Sequence, residues 1–266
     1  MTVRAAVRDP AGYDGPATPV RFDFTDPTSY DAFGGVDAVY LVRPPALGRV
    51  ERDVFPAVDA MERAGVERVV LLSVLGAERN PLLPHRRLEQ RLEGSSLSWT
   101  FLRAAYFAQN FETTHREEVR RGELFVPAGD GLVGVVDARD VAAVAALALR
   151  GGHGGRAYDL TGPEALSFGG MAAVLDDHLD HRVAYAEPGL VQFLRRSREE
   201  GTPTMQALVM AGLYTAARLG LSARVTRTVE AVLGRPPRSF DEYVADRRAV
   251  WKSGAARRTT GAAAGR

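Results

Sequence analysis

The chain has 266 residues, 34 basic against 33 acidic side chains, a net charge of +1 and no cysteine. That balance gives no electrostatic reason to expect nucleic acid or an anionic membrane as partner. The missing cysteine removes disulfides, thiol catalysis and cysteine-ligated metals, and fits a cytoplasmic protein. No apolar signal core opens the sequence, and no apolar run reaches the ~20 residues that span a bilayer. Lys252 is the single lysine, so a mechanism needing lysine in the folded body has none.

Short apolar runs alternate with helical periodicities. Val3–Val7 and Val20–Phe24 read as strands. Asp26-Pro27 opens a short helix, with Asp26 as N-cap and Pro27 in the first turn. Val36–Val42 is apolar apart from Asp37, and reads as a strand buried on both faces. Val50–Ala64 reads as one helix closed by Gly65, and Val66–Ser73 as a strand. His85–Glu93 is an amphipathic helix, followed by the strand Trp99–Arg103. Such alternation predicts right-handed βαβ units and a doubly wound, mostly parallel α/β sheet. Farther on, Glu123–Val136 reads as a hairpin about Gly129-Asp130-Gly131 and Asp140–Leu149 as a helix. Tyr158–Thr161 is a strand, Ser167–Leu179 a helix, and Val183–Ala186 a short extended piece. From Gly189 to Trp251 the pattern is mainly helical, with a capping box at Ser239–Glu242. The organisation expected is an α/β domain over 1–150, whose dinucleotide binding is what the family resemblance given below implies, a smaller helical lobe over 151–252 that returns one strand to the main sheet, and a disordered tail over 253–266.

Candidate chemistry collects at strand ends. Arg8 follows the first strand; taken alone it reads first as a solvated turn arginine, while at the second strand of a dinucleotide fold an arginine there suits a 2′-phosphate by paired donors. Asp23 can accept from an adenine amino group or simply form a turn. Ser73 ends the strand VVLLS, at the mouth of a parallel sheet. His85 heads a helix near that mouth and is a candidate proton donor. Arg103, Ala104, Ala105, Tyr106 and Phe107 leave the next strand at the same edge. His115, His153, His178 and His181 are scattered without metal spacing and read as surface residues.

In order along the chain, VRDP, FDFTDP, VDAVYLVRPP, VERVVLLSVLGAERN, LSWTFLRAAYFAQNF, VVDARDVA and YDLTGPEALSF resemble the NmrA-like branch of the atypical short-chain dehydrogenase/reductases. The resemblance covers residues 1 to about 185 and implies a Rossmann fold that binds NADP, with NAD as the alternative. It places Arg8 at the 2′-phosphate, and Asp23 with Phe24 at the adenine. Leu41, Val42, Arg43 and Pro44 fall on the loop beside the central ribose. Ser73 and Arg103–Tyr106 fall near the nicotinamide. Ser73, His85 and Tyr106 are the catalytic candidates.

Two departures stand out. The strand and Gly-x-x-Gly-x-x-Gly turn that usually precede the Val3–Val7 strand are absent, which would leave Val3–Val7 and Val36–Val42 with unpaired buried edges. The expectation is a start codon set roughly 30 residues late, the length of a βαβ half-unit; the alternative is a short form weak in cofactor binding. The Tyr-x-x-x-Lys pair of many superfamily members is also missing: the helix reads PHRRLEQRLE, with His85 near the tyrosine place and Glu89 or Gln90 near the lysine. Two functions follow. The first is an NADPH-dependent reductase of a small carbonyl, quinone or imine-like substrate, acting as monomer or homodimer. The second is a non-catalytic NAD(P) sensor working through a protein partner.

Overall fold

The computed structural model describes residues 2–251, so the tail expectation over 253–266 lies outside the described residues. In chain order the strands are β1 (Arg4–Val7), β2 (Thr18–Arg21), β3 (Ala38–Leu41), β4 (Arg68–Val74), β5 (Ser98–Ala104) and β6 (Tyr106–Phe107). They continue with β7 (Glu123–Phe125), β8 (Leu132–Val136), β9 (Arg156–Leu160), β10 (Ala165–Ser167) and β11 (Ala184–Ala186). The helices are α1 (Val50–Asp53), α2 (Phe55–Arg63), α3 (Pro84–Glu93), α4 (Arg116–Arg120) and α5 (Ala138–Ala148). After them come α6 (Phe168–His178), α7 (Leu190–Glu199), α8 (Thr204–Arg218), α9 (Thr228–Leu233) and α10 (Phe240–Arg247). The chain divides into two compact units.

The first unit holds residues up to 105, 139–160 and 228–235. Its main sheet has the order β3-β4-β5-β9, parallel throughout, with Ser73 opposite Arg103 and Ala104 opposite Leu160. Val69 and Leu71 of β4 and Phe101 of β5 are fully buried, in one core with Val54, Val58 and Met61, Leu88 and Leu92 of α3, and Phe22 and Phe33. Removing such a side chain from water is worth about 2 kcal/mol each, which is why these apolar runs carry the fold. Gly65 follows α2 with φ +77°, the left-handed closure expected of it. The helix over 50–64 is two helices instead. Pro56 has no N–H, and its ring crowds the carbonyl one turn back, so the chain kinks at Val54, where φ is −121°.

β1 and β2 pair in parallel as a sheet of their own, from Arg4 opposite Thr18 to Val7 opposite Arg21. Among the described residues no strand joins this pair to β3. The open edges are not buried as expected: β1 alternates exposed and half-covered residues, and Tyr40 of β3 stays 38% exposed.

The second unit holds residues 106–138, 161–227 and from 236 onward. The hairpin expected over Glu123–Val136 does not form. β7 pairs in parallel with β11, while β8 pairs antiparallel with β10 and parallel with β6. The Gly129–Gly131 segment serves a close approach instead: a Cβ on Gly131 would lie 2.3 Å from the Ala217 carbonyl oxygen. Phe111, Phe168, Tyr243 and Trp251 fill this unit's core, and Trp251 Nε1 donates to the Phe111 carbonyl at 2.7 Å. α10 begins with the expected capping box: Glu242 N donates to Ser239 Oγ, and Ser239 N to the Glu242 carboxylate.

Candidate functional site

The C-terminal end of β4 is tied to α3 by a buried carboxylate. Ser73 Oγ donates to Glu89 Oε1 at 2.7 Å. Arg103, opposite Ser73 on β5, forks onto both Glu89 oxygens at 2.9 and 2.8 Å, and Arg86 Nη1 adds a bond at 3.1 Å. The Glu89 side chain has no exposure. Burial alone would push its pKa up, but the Arg103 fork, the Ser73 hydroxyl and Arg86 outweigh this and hold it below the usual carboxylate range. Ser73 is itself 1% exposed. A serine hydroxyl has one proton to give, and Ser73 gives it to Glu89, so toward any other group it can only accept.

His85 lies one turn before Glu89 on α3, at the second helical position. It is half-buried, and its pKa falls to about 4 because of burial first and the Arg43 charge second, with Glu89 opposing both. The ring is therefore neutral at pH 7. Arg43 follows β3 and gives one nitrogen to the carbonyls of Pro44, Pro45 and Leu47, at 2.8, 3.2 and 3.0 Å. Its buried Nε has no hydrogen-bond partner among the described residues. Leu41 is buried and Val42 exposed. Ala104 and Ala105 close the end of β5 by bonds from Leu75 N to the Ala104 carbonyl and from Ala105 N to the Leu160 carbonyl, both 2.9 Å.

Beyond β1 and β2, Arg8 is exposed and its charge acts on Asp23. The Asp23 carboxylate closes a turn by accepting from Thr25 N at 2.8 Å and Thr25 Oγ1 at 2.7 Å, the main reason its pKa is lowered. Phe24 packs edge-on against Phe22. Thus Ser73 and Arg103 are joined through Glu89, His85 and Arg43 interact, and Arg8 and Asp23 interact.

Tyr106 and Phe107 belong to the second unit. There Tyr106 Oη lies 2.8 Å from His115 Nε2, and His115 Nδ1 lies 2.8 Å from Glu118 Oε2. Tyr214 Oη approaches the same Nε2 at 3.4 Å, and Phe111 and Phe168 pack against the His115 ring. Burial raises the pKa of both tyrosines. His115 is 1% exposed, which corrects its reading as a surface residue; nothing in its sequence neighbourhood marks it, because its partners Tyr106 and Tyr214 stand 9 and 99 positions away. Glu89 is the other residue whose role the sequence hid. The sequence offers it only as one of two residues near the lysine place of the absent pair, and the strand pairing of Ser73 with Arg103 makes it central.

A dinucleotide fits these residues at two places. The orphaned Arg43 Nε wants an acceptor of the kind a ribose or phosphate oxygen supplies, and the exposed Arg8 guanidinium suits a phosphate. The described residues contain no Gly-x-x-Gly-x-x-Gly turn to cradle the pyrophosphate.

Comparison with known proteins agrees with this outline. The family described as NAD(P)H-binding matches residues 1–151. The NAD(P)H azoreductase of Xenophilus azovorans is 36% identical over 217 residues, covering 80% of this chain and 76% of the relative. Among solved structures, the NADPH-dependent quinone oxidoreductase of Escherichia coli in complex with NADPH superposes with a TM-score of 0.82 at 25% identity, over 92% of this chain and 90% of the other. The negative transcriptional regulator NmrA, solved with NADP, shares the fold with a TM-score of 0.69 at 21% identity, over 91% of this chain and 86% of the other. The chain belongs to the NAD(P)H-binding family, and shares its fold with NmrA.

Proposed function

We propose that this member of an NAD(P)H-binding oxidoreductase family uses NADPH to reduce a quinone or an imine-like or azo double bond in a small, largely apolar molecule. The observation that carries the reading is the 36% identity to an azoreductase across four fifths of the chain. The bound cofactor supplies a hydride. The reduction would take one hydride from the cofactor and one proton from water, with the oxidised cofactor as second product. Arg8 binds the 2′-phosphate, with Asp23 and Phe24 beside the adenine. Leu41, Val42, Arg43 and Pro44 line the ribose, and Arg103, Ala104 and Ala105 hold the nicotinamide end.

Among the catalytic candidates the chemistry favours His85. With its pKa about 4 the imidazole is neutral at working pH, so it offers an N–H to the charge that develops on the substrate, and water delivers the proton. Ser73 has committed its proton to Glu89 and acts as an acceptor. Tyr106 shares its hydroxyl with His115. The second reading, a sensor without turnover, has only fold-level likeness behind it.

The test is cofactor titration by fluorescence with NADPH and NADH, followed by NADPH consumption with a para-quinone and an azo dye. Substrate-dependent oxidation supports the reading, and tight cofactor binding without turnover on either class removes it. Because His85 works in its neutral form, kcat/KM is expected to stay flat from pH 8 to 6, with its loss deferred toward about pH 4. An inflection near the ordinary histidine value of about 6.5 would assign the step to another group.

A further inference from the structure

The helix α8, TMQALVMAGLYTAAR, is packed with its small side inward. Ala207, Ala211, Tyr214 and Ala217 are buried, while the bulky residues face solvent: Met205 is 72% exposed, Leu208 50%, Val209 56% and Leu213 60%. A helix normally buries its large apolar residues. These exposed positions recur at 205, 208, 209, 212 and 213, and the half-buried Ala216 extends the same stripe by one turn. With Leu219 and Leu221 just beyond, they present roughly 700 Å² of apolar side chain, close to the ~800 Å² that each partner contributes to a standard interface and more than the roughly 300–600 Å² patch of a typical monomer.

We propose that this stripe pairs with the same stripe on a second copy of the chain, α8 lying antiparallel to its mate about a twofold axis. The stripe is complementary to itself when reversed. Centred between Met210 and Ala211, the reversal sets Met205 against Ala216, Leu208 against Leu213, and Val209 against Gly212. Met205 and Val209 then meet small residues, and Leu208 packs on the mate's Leu213, a self-complementary set of the kind an isologous helix pair uses. At Gly212 a Cβ would meet nothing within 4 Å, so the space for Val209 is open. No charged side chain interrupts the helix before Arg218, so reversal brings no like charges together. The same fact disfavours a membrane surface, which selects helices whose other face is rich in Lys and Arg; here that face is alanine and tyrosine packed in the core.

Sedimentation velocity on the full chain from 1 to 100 µM reads the outcome. The expected result is a species of twice the chain's mass, with L208E/L213E raising the dissociation constant at least tenfold while its circular dichroism and melting temperature stay close to the parent. A173E, on an exposed position of α6, leaves the dimer unchanged. Because the chain has no cysteine, G212C supplies a single thiol near the axis, and mild oxidation is expected to give a covalent dimer. A monomer across the whole range, a dimer indifferent to L208E/L213E, or a monomer that instead co-sediments with phosphatidylcholine/phosphatidylserine vesicles overturns the proposal.

Discussion

Replacing Glu89 by alanine removes the buried carboxylate on which Arg103 forks and to which Arg86 adds a bond, leaving Arg103 with Glu78 and Arg86 with Glu93 as their remaining acidic partners. Losing one partner of a buried ion pair costs about 3–5 kcal/mol, so E89A should show a much lower urea midpoint. E89Q keeps the volume and half of the accepting capacity, and its loss should be nearer 1–2 kcal/mol. His85 gives the second prediction at this scale. Its folded pKa, about 4, lies below the ordinary value of 6.5. Above pH 6.5 both folded and unfolded states are neutral there and nothing is lost. As pH falls from 6.5 to 4 the unfolded chain takes up the proton first, and stability drops by about 2–3 kcal/mol. H85N should flatten that limb in urea titrations at pH 7.5 and 5. R8S should weaken NADPH about tenfold and spare NADH, because a fork onto a 2′-phosphate has no counterpart in NADH; equal losses in both titrations would remove Arg8 from that role. Ser73 and Arg103, which meet on Glu89, could be picked out from strand ends alone. Glu89 and His115 could not, since each owes its importance to partners that pairing and packing bring from elsewhere in the chain.

Among the elements, period and caps were legible where they acted locally. Asp26 caps a turn with Pro27 inside it, and its carboxyl is held near 2 by Thr28 and Arg21. Ser239 and Glu242 cap α10 reciprocally, so S239A should cost about 1 kcal/mol. What went astray was the use of partners not adjacent in sequence. β7 and β8 flank a glycine turn that looks like a hairpin, yet each finds its mate elsewhere, β7 in β11 and β8 in β10 and β6. Gly131 answers to the carbonyl of Ala217, so G131A should destabilise the fold by about 1–3 kcal/mol through overpacking, read as a lower melting midpoint. The break of α1 from α2 was readable in Pro56, whose effect outweighs the apolar period that runs through it.

At the scale of the whole molecule, the order of seven motifs was enough to place the chain in its family, because a parallel α/β sheet writes each strand as an apolar run with chemistry at its end. The two-unit division is less visible, since each unit draws on three separate stretches of sequence. One feature bears on how the first unit breathes. The β1–β2 pair has its own hydrogen bonds, few buried side chains and no ladder to the four-stranded sheet among the described residues. Two isolated strands are marginal in water. Native-state deuterium uptake should therefore be fast at Ala5–Val7 and slow at Val69–Leu72, with the two segments opening as separate cooperative units. A dinucleotide that touches both Arg8 and Arg43 would join them, and the uptake at β1 would slow as NADPH is added: the ligand would then act as the missing mechanical link of the domain, coupling its binding to the folding of the strands that recognise it.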